Sequence, residues 1–84
     1  MSQFLGVHKT SDIGAMTDED AANGFHKYKE AAAKMGLNAT HAHYSLEKGF
    51  AYCLTEAQSA DQVRQAHSQV EVPLEDVIEV KTIE

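Results

Sequence analysis

Four stretches of the chain alternate hydrophobic residues with polar or small ones at a period of two, the pattern of a β-strand whose two faces differ. In the third stretch, Phe50, Tyr52 and Leu54 alternate with smaller residues that include Cys53. The last stretch is rich in β-branched residues, which favour strands. The pattern predicts strands over residues 3–9, 38–46, 50–55 and 77–83.

Two further stretches carry hydrophobic residues at helical spacing. Thr17 is an N-cap residue followed by three acidic residues, and Lys34 and Gly36 are signals for the end of that helix. Ser59 is a good N-cap for the second helix, and Gln62, three residues later, predicts a capping box. The predicted core-facing stripes are Ala21, Phe25, Tyr28, Ala32 and Met35 in the first helix and Val63, Ala66, His67 and Val70 in the second.

The order strand, helix, strand, strand, helix, strand predicts an α+β fold of the ferredoxin-like β-α-β-β-α-β type, with both helices on one face of an antiparallel four-stranded sheet. Residues 1–84 form a single domain, because no linker, repeat or low-complexity segment divides them. A chain of this length has a thin core, and the second face of the sheet is partly apolar. We therefore expect a homodimer in which two sheets pair face to face, a dimeric α/β barrel.

The charge balance limits the classes of partner. Seven Lys and Arg stand against thirteen Asp and Glu, for a net charge of −6. Nucleic-acid binding needs a basic surface, so we expect no nucleic-acid partner. No apolar run approaches the ~20 residues that span a bilayer, so we expect no membrane partner. Cys53 is the only cysteine and no signal-peptide pattern precedes the first strand, which favours a cytoplasmic location.

Five histidines in so short a chain are the unusual feature of the composition. The predicted topology brings His8, His26 and His67 towards one end of the domain, and Cys53 lies on the strand that pairs with the first. Imidazole and thiolate ligands without a carboxylate cluster favour Zn(II), Ni(II) or Cu over Ca or Mg. No CxxC or HExxH motif accompanies them.

Each of these residues also has a purely structural interpretation. A free cysteine is often a small buried hydrophobic residue, and a histidine on a core stripe often bonds a backbone carbonyl. The same interpretation applies to His8 at the end of its strand. His26 lies on the edge of its helical stripe, where it would face solvent.

The first functional hypothesis is a non-enzymatic, metal-binding homodimer. The second is a small-molecule pocket or a cofactor-independent enzyme of the dimeric α/β-barrel type, with a histidine as general base. The residues that would line such a pocket are His41, His43, Tyr44 and Tyr52. A purely structural interaction module is the third.

Several segments carry a family resemblance. Residues 4–9 (FLGVHK), 17–20 (TDED), 47–49 (EKG) and 50–57 (FAYCLTEA), with Ala66-His67 and Glu79-Val80, follow one family pattern nearly from end to end. In these segments the chain resembles the small nickel-binding ferredoxin-like proteins, a family formerly of unknown function whose members are dimers.

The resemblance implies divalent metal binding, with nickel as the metal, in a barrel of two protomers. Together with the donor types, the expected ion is Ni or Zn. The candidate ligands that it implies are His8, His26, Cys53 and His67. The chain departs from the family pattern at Lys29 and Gly6, where the family commonly has Asp, and at Gln58, where it has Pro. Relative to the family pattern, these departures remove two acidic groups and add a positive charge near the candidate ligands. A small-molecule pocket is the alternative to a metal site there.

Overall fold

Six elements follow one another in the predicted order, in a computed structural model that describes all 84 residues. They are β1 (Ser2–Lys9), α1 (Asp18–Lys34), β2 (Asn38–Ser45), β3 (Phe50–Ala57), α2 (Ala60–Gln69) and β4 (Asp76–Val80). Neither helix is both long enough and apolar enough to cross a membrane.

The four strands form one sheet in the order β2-β3-β1-β4, and every neighbouring pair is antiparallel. The two central strands, β1 and β3, are those predicted to carry His8 and Cys53. Their register places Gly6 opposite Cys53 and His8 opposite Ala51. The predicted ferredoxin-like fold is therefore confirmed.

Both helices begin at the predicted caps. The Thr17 hydroxyl accepts a hydrogen bond from the Asp20 amide at 3.1 Å, and the Asp20 carboxylate accepts one from the Thr17 amide at 3.2 Å, which is a complete capping box. In α2 the Ser59 hydroxyl accepts from the Gln62 amide at 3.4 Å. The Gln62 side chain bonds the Gln58 amide instead of the predicted Ser59 amide, at 2.9 Å, so the reciprocal half of that box lies one residue earlier in the chain.

The last strand is shorter than its composition predicts. The β-branched pattern continues to residue 83, but β4 ends at Val80, which pairs with Gln3 near the beginning of β1. Beyond that pair β1 has only its first residue, Ser2, and no further ladder pair forms between β1 and β4. Pairing with β1 has the opposite effect on β3, which runs two residues beyond the predicted range and ends at Ala57, opposite Ser2.

The core lies between the helices and one face of the sheet. Its buried hydrophobic residues are Phe4, Tyr28, Ala32, Leu37, Ala39, Cys53, Ala57, Val63 and Ala66. Many of them are alanines, which let the helices lie close to the strands but leave space where several small residues meet. Three buried polar residues, His8, Thr55 and His67, lie in the same layer.

The other face of the sheet has no helix against it, and we call it the open face. Its hydrophobic side chains alternate along each strand with those that face the core. Leu5 and Val7 in β1, Tyr52 and Leu54 in β3 and Ile78 in β4 lie there, and none is buried in the single chain. Ile78 is 45% exposed.

Candidate metal centre

Three potential metal-ligand atoms converge in the core from three separate elements. The Cys53 Sγ lies 3.5 Å from the His8 Nε2 and 3.4 Å from the His67 Nε2. All three donor atoms lie within 4.8 Å of one another. The residues are 6% (His8), 3% (Cys53) and 1% (His67) exposed, so water hardly reaches the site.

The strand register explains why His8 belongs to this group. Gly6 lies directly opposite Cys53, and His8, two residues further along β1, projects from the same face of the sheet. The sequence left open whether His8 faces the helices or the open face; the structure places it on the helix side. His67 completes the group from the buried stripe of α2, where Val63 and Ala66 are its buried neighbours.

Gly6 makes room for the thiol. A Cβ atom at this position would lie 2.6 Å from the Cys53 Sγ and 3.2 Å from the Leu74 Cδ2. Such contacts are too short for any side chain to occupy without a shift of its neighbours. Glycine in the centre of a strand commonly marks a close approach of this kind, and here the approaching group is the sulfur.

Backbone carbonyls orient both imidazole rings. The His67 Nδ1–H donates to the Val63 carbonyl oxygen at 2.8 Å, and the His8 Nδ1–H donates to the Pro73 carbonyl oxygen at 2.8 Å. Because a carbonyl oxygen only accepts, the proton of each neutral ring resides on Nδ1. Each Nε2 is therefore left with a free lone pair near the Cys53 sulfur, the tautomer that a metal ligand requires.

Burial keeps the whole group uncharged near neutral pH. Burial lowers the pKa of His67 to about 4, and it also lowers the pKa of His8 from its ordinary value. Burial raises the pKa of the Cys53 thiol to about 12. Two neutral imidazoles and a protonated thiol therefore face one another in the absence of a cation.

Tyr28 packs against the site from α1. Its ring stacks on that of His67, with centroids 3.7 Å apart and an interplanar angle of 22°. The Tyr28 hydroxyl is hydrogen-bonded to the Thr55 hydroxyl inside the core, and burial raises the pKa of Tyr28. Tyr28 thus covers one side of the His67 imidazole.

The distance of the sulfur from each nitrogen fits a small transition-metal ion. Metal–nitrogen bonds of ~2.0–2.1 Å and metal–sulfur bonds of ~2.3 Å at tetrahedral angles place nitrogen and sulfur ligands about 3.6 Å apart. The two nitrogen–sulfur separations here are 3.5 and 3.4 Å. No carboxylate belongs to the group, which is a donor set for Zn(II), Ni(II) or Cu and not for Ca or Mg.

The other candidate residues lie elsewhere. His26 is exposed on α1, with its ring 6.2 Å from that of Phe25, and it does not belong to the group of three. His41 and His43 are exposed on β2, opposite Leu54 and Tyr52 of the open face. Their rings are nearly parallel, with centroids 6.4 Å apart.

A cavity of about 230 Å³ adjoins the three donor residues. Of the residues proposed for a pocket, Tyr44 lines this cavity from β2, and His41 and His43 do not. Tyr52 borders the cavity as part of β3, although its side chain belongs to the open face. The Tyr44 hydroxyl donates to the Asp18 carboxylate at 3.0 Å, which links β2 to the start of α1 beside the cavity.

Sequence reasoning missed three contributions to the site. The carbonyls of Val63 and Pro73 carry no side-chain signal, because any residue has a carbonyl. Tyr28 was placed in the core but not against His67, since helix periodicity gives a face and not a partner. Gly6 did carry a signal, as a glycine inside a strand pattern, but the group that approaches it was not identifiable.

Comparison with known proteins agrees with the fold. The crystal structure of SCO4226 from Streptomyces coelicolor A3(2) matches with a TM-score of 0.85 and 19% sequence identity, over 99% of this chain and 100% of that chain. No curated protein matches the sequence. The family described as nickel responsive protein SCO4226-like matches residues 4–80, which confirms the resemblance noted in the sequence. The chain therefore belongs to the SCO4226-like nickel responsive protein family.

Proposed function

We propose that this protein binds one divalent transition-metal ion per chain through His8, Cys53 and His67, and that nickel is the metal it binds in the cell. The observation that carries the proposal is the convergence of two free Nε2 lone pairs on one buried thiol, at 3.5 and 3.4 Å. The nickel-responsive description of the family supports nickel over zinc, since the donor set alone suits both.

The protein orients the ligand side chains and keeps water away from the site. The carbonyls of Val63 and Pro73 hold the imidazoles in the ligating tautomer, so no change of tautomer is needed for binding. Cys53 must lose its proton, and a bound cation supplies the positive charge that stabilises the thiolate. The role is binding or sensing of the metal, without catalysis. A reducing cytoplasm would keep the single thiol available.

Elemental analysis and calorimetric titration of protein without an affinity tag test this function. We expect about one equivalent of nickel per chain at neutral pH, and a higher melting temperature with nickel than without. Cys53→Ser and His67→Gln should each weaken binding by more than about tenfold, the lower limit seen for loss of even an outer-shell partner.

His26→Gln is the matched control, because it removes an exposed histidine outside the group of three. It should bind nickel as the parent does. A parent protein that binds no metal and shows no change in melting temperature would refute the function. An equal loss in the His26 variant and the His67 variant would refute the site.

We also propose that two copies associate through the open face. The chain is small, and hydrophobic side chains such as Leu54 and Ile78 stand on a face that no helix covers. A second copy of the same face supplies a hydrophobic surface of matching size, which is the usual arrangement in a twofold dimer.

A cofactor-independent enzyme is the second candidate function, and the cavity favours it. The Nε2 atoms of His8 and His67 are unprotonated and adjoin a space large enough for a small organic substrate. Removal of metal ions with a chelator distinguishes the two functions. Turnover of a substrate by metal-free protein would favour the enzyme, whereas binding that needs the ion would favour the metal-binding role.

A further inference from the structure

The cavity beside the donor residues has no occupant from the chain itself. It lies between α1 and strands β2 and β3, and His8, Cys53 and His67 are among the residues that line it. An ion held by these three residues would therefore be next to the cavity and out of reach of bulk water elsewhere.

Small residues on two facing elements create the space. Gly24 lines the cavity from α1, and Ala42, opposite Cys53 in the sheet, lines it from β2. A Cβ atom built on Gly24 meets no other atom within 4 Å, so this side of α1 is open. Glycine in the interior of a helix costs about 0.5–1 kcal/mol relative to alanine, and here it leaves room beside the helix.

The lining indicates the chemistry of a ligand. Ten of the 17 lining residues are hydrophobic, and aromatic rings of Phe25 and Tyr44 are among them. The charged lining residues Asp12, Lys27 and Glu71 are all exposed, so they lie towards solvent. For scale, an apolar cavity of ~150 Å³ is enough to bind benzene. A volume of about 230 Å³ therefore suits a flat organic molecule somewhat larger than one six-membered ring.

The number of donors indicates how such a molecule would be held. The chain brings together three ligand atoms, and no carboxylate joins them. Closed structural sites have four protein ligands, whereas sites with three keep a position for an exchangeable ligand. The geometry points to the cavity as a binding site for a small apolar molecule with one nitrogen or oxygen donor, which completes the coordination of the ion. This inference rests on the proposed metal binding.

Two probes of the same shape test the inference. Benzimidazole is flat and largely apolar and has one nitrogen with a free lone pair, whereas indole has nearly the same shape and lacks that donor. Calorimetry on cobalt-loaded or nickel-loaded protein should show benzimidazole binding with a dissociation constant below about 1 mM, and indole binding at least about tenfold more weakly. The visible spectrum of the cobalt form should change with benzimidazole only.

A variant that fills the cavity gives an independent test. Gly24→Leu should bind a full equivalent of metal but lose at least about tenfold in benzimidazole affinity. Ala22→Leu is the control, because Ala22 is exposed on the same helix and does not line the cavity. It should bind both the metal and benzimidazole as the parent does.

The outcomes separate this inference from the proposed function. The inference would be overturned if metal-loaded protein did not bind benzimidazole, or if the Gly24→Leu variant bound it as well as the parent does. Either result would leave metal binding intact. Equal affinity of metal-free and metal-loaded protein for benzimidazole would show that no coordination is involved, which also overturns it. Absence of metal binding would overturn both.

Discussion

The imidazole of His67 stacks on the phenol ring of Tyr28, with ring centroids 3.7 Å apart. The stack joins α2 to α1 directly beside the candidate metal centre. One side chain of the pair offers a ligand atom, and the other holds that ligand's ring in place. Variants of Tyr28 can separate its contribution to stability from its contribution to the site.

Tyr28→Phe keeps the stack but removes the hydroxyl that pairs with Thr55, which is 0% exposed. An unpaired buried hydroxyl costs ~1–3 kcal/mol, so the free energy of unfolding measured with urea should fall by about that much. Nickel affinity should change little. Tyr28→Leu also removes the stack, and it should lower nickel affinity by about tenfold, as expected when support for a ligand is lost. Equal affinities of the two variants would contradict a positioning role for the ring.

Gly6→Ala tests the packing around the thiol. The new Cβ would lie 2.6 Å from the Cys53 Sγ, so sulfur or strand must move. Overpacking of this kind costs ~1–3 kcal/mol, and displacement of the sulfur should weaken nickel binding as well. Gly24→Ala is the control, since no atom lies within 4 Å of its Cβ. It should raise the free energy of unfolding by about 0.5–1 kcal/mol, as measured with urea. A Gly6→Ala protein with parental stability and affinity would contradict the close approach.

The stability of metal-free protein should depend on pH through the buried site. The pKa of His67 falls from its ordinary 6.5 to about 4 on folding. Between these values the unfolded chain takes up a proton that the folded chain does not, so stability is lost as the pH falls from 6.5 towards 4. The loss amounts to about 3 kcal/mol at 1.36 kcal/mol per pKa unit. The lowered pKa of His8 acts in the same direction.

The Cys53 thiol makes the stability fall on the alkaline side of the pH range. Its pKa rises from an ordinary 9.0 to about 12 on folding, so stability is lost as the pH rises from 9 towards 12. Urea denaturation across this range should show a maximum between about pH 6.5 and 9. His67→Gln should reduce the loss of stability at acidic pH, and Cys53→Ser should reduce the loss at alkaline pH. If the His67 variant lost as much stability at acidic pH as the parent, His67 would not be the residue responsible.

Metal binding should release about one proton per ion near neutral pH. The imidazoles are already neutral there, because burial lowers the pKa values of both His8 and His67. Cys53 alone has a proton to lose, since the pKa of its thiol is about 12. Affinity should therefore rise about tenfold per pH unit, and a steeper dependence should appear only below about pH 6.5. Calorimetry in buffers of different ionisation enthalpy counts the protons, and release of none would rule out the thiol as a ligand.

Ile78→Lys tests the proposed dimer. Ile78 is 45% exposed in the centre of β4, opposite Leu5, and a charge there would be buried between two paired sheets. Sedimentation should show a dimer for the parent and a monomer for the variant, because an unpaired buried charge is costly. Ile83→Lys is the control, since Ile83 is 97% exposed and lies beyond the last strand. A monomeric parent, or a variant that remains dimeric, would contradict association through this face.

Much of the fold was predictable because it depends on local pattern. Alternation around Cys53 indicates a strand, and the caps at Thr17 and Ser59 mark where helices begin. The end of β4 was not predictable, because it depends on how far β4 pairs with β1 and not on the composition of β4 itself. The site was only partly predictable for a similar reason. The residue types of His8, Cys53 and His67 suggested ligands, but their separation in space depends on strand register and helix packing.

The sequence by itself determined the order of elements, the helix caps and the residue types available for metal binding, since these follow from side-chain chemistry and from contacts between near neighbours. Only the tertiary structure decided that His8 faces the helices, that His26 stays outside the group, and that two carbonyls direct both Nε2 atoms towards one sulfur. These facts depend on the antiparallel register of β1 with β3 and on the packing of α2 across them. Contacts between residues as far apart in the chain as His8 and Pro73 arise only when the whole sheet has formed.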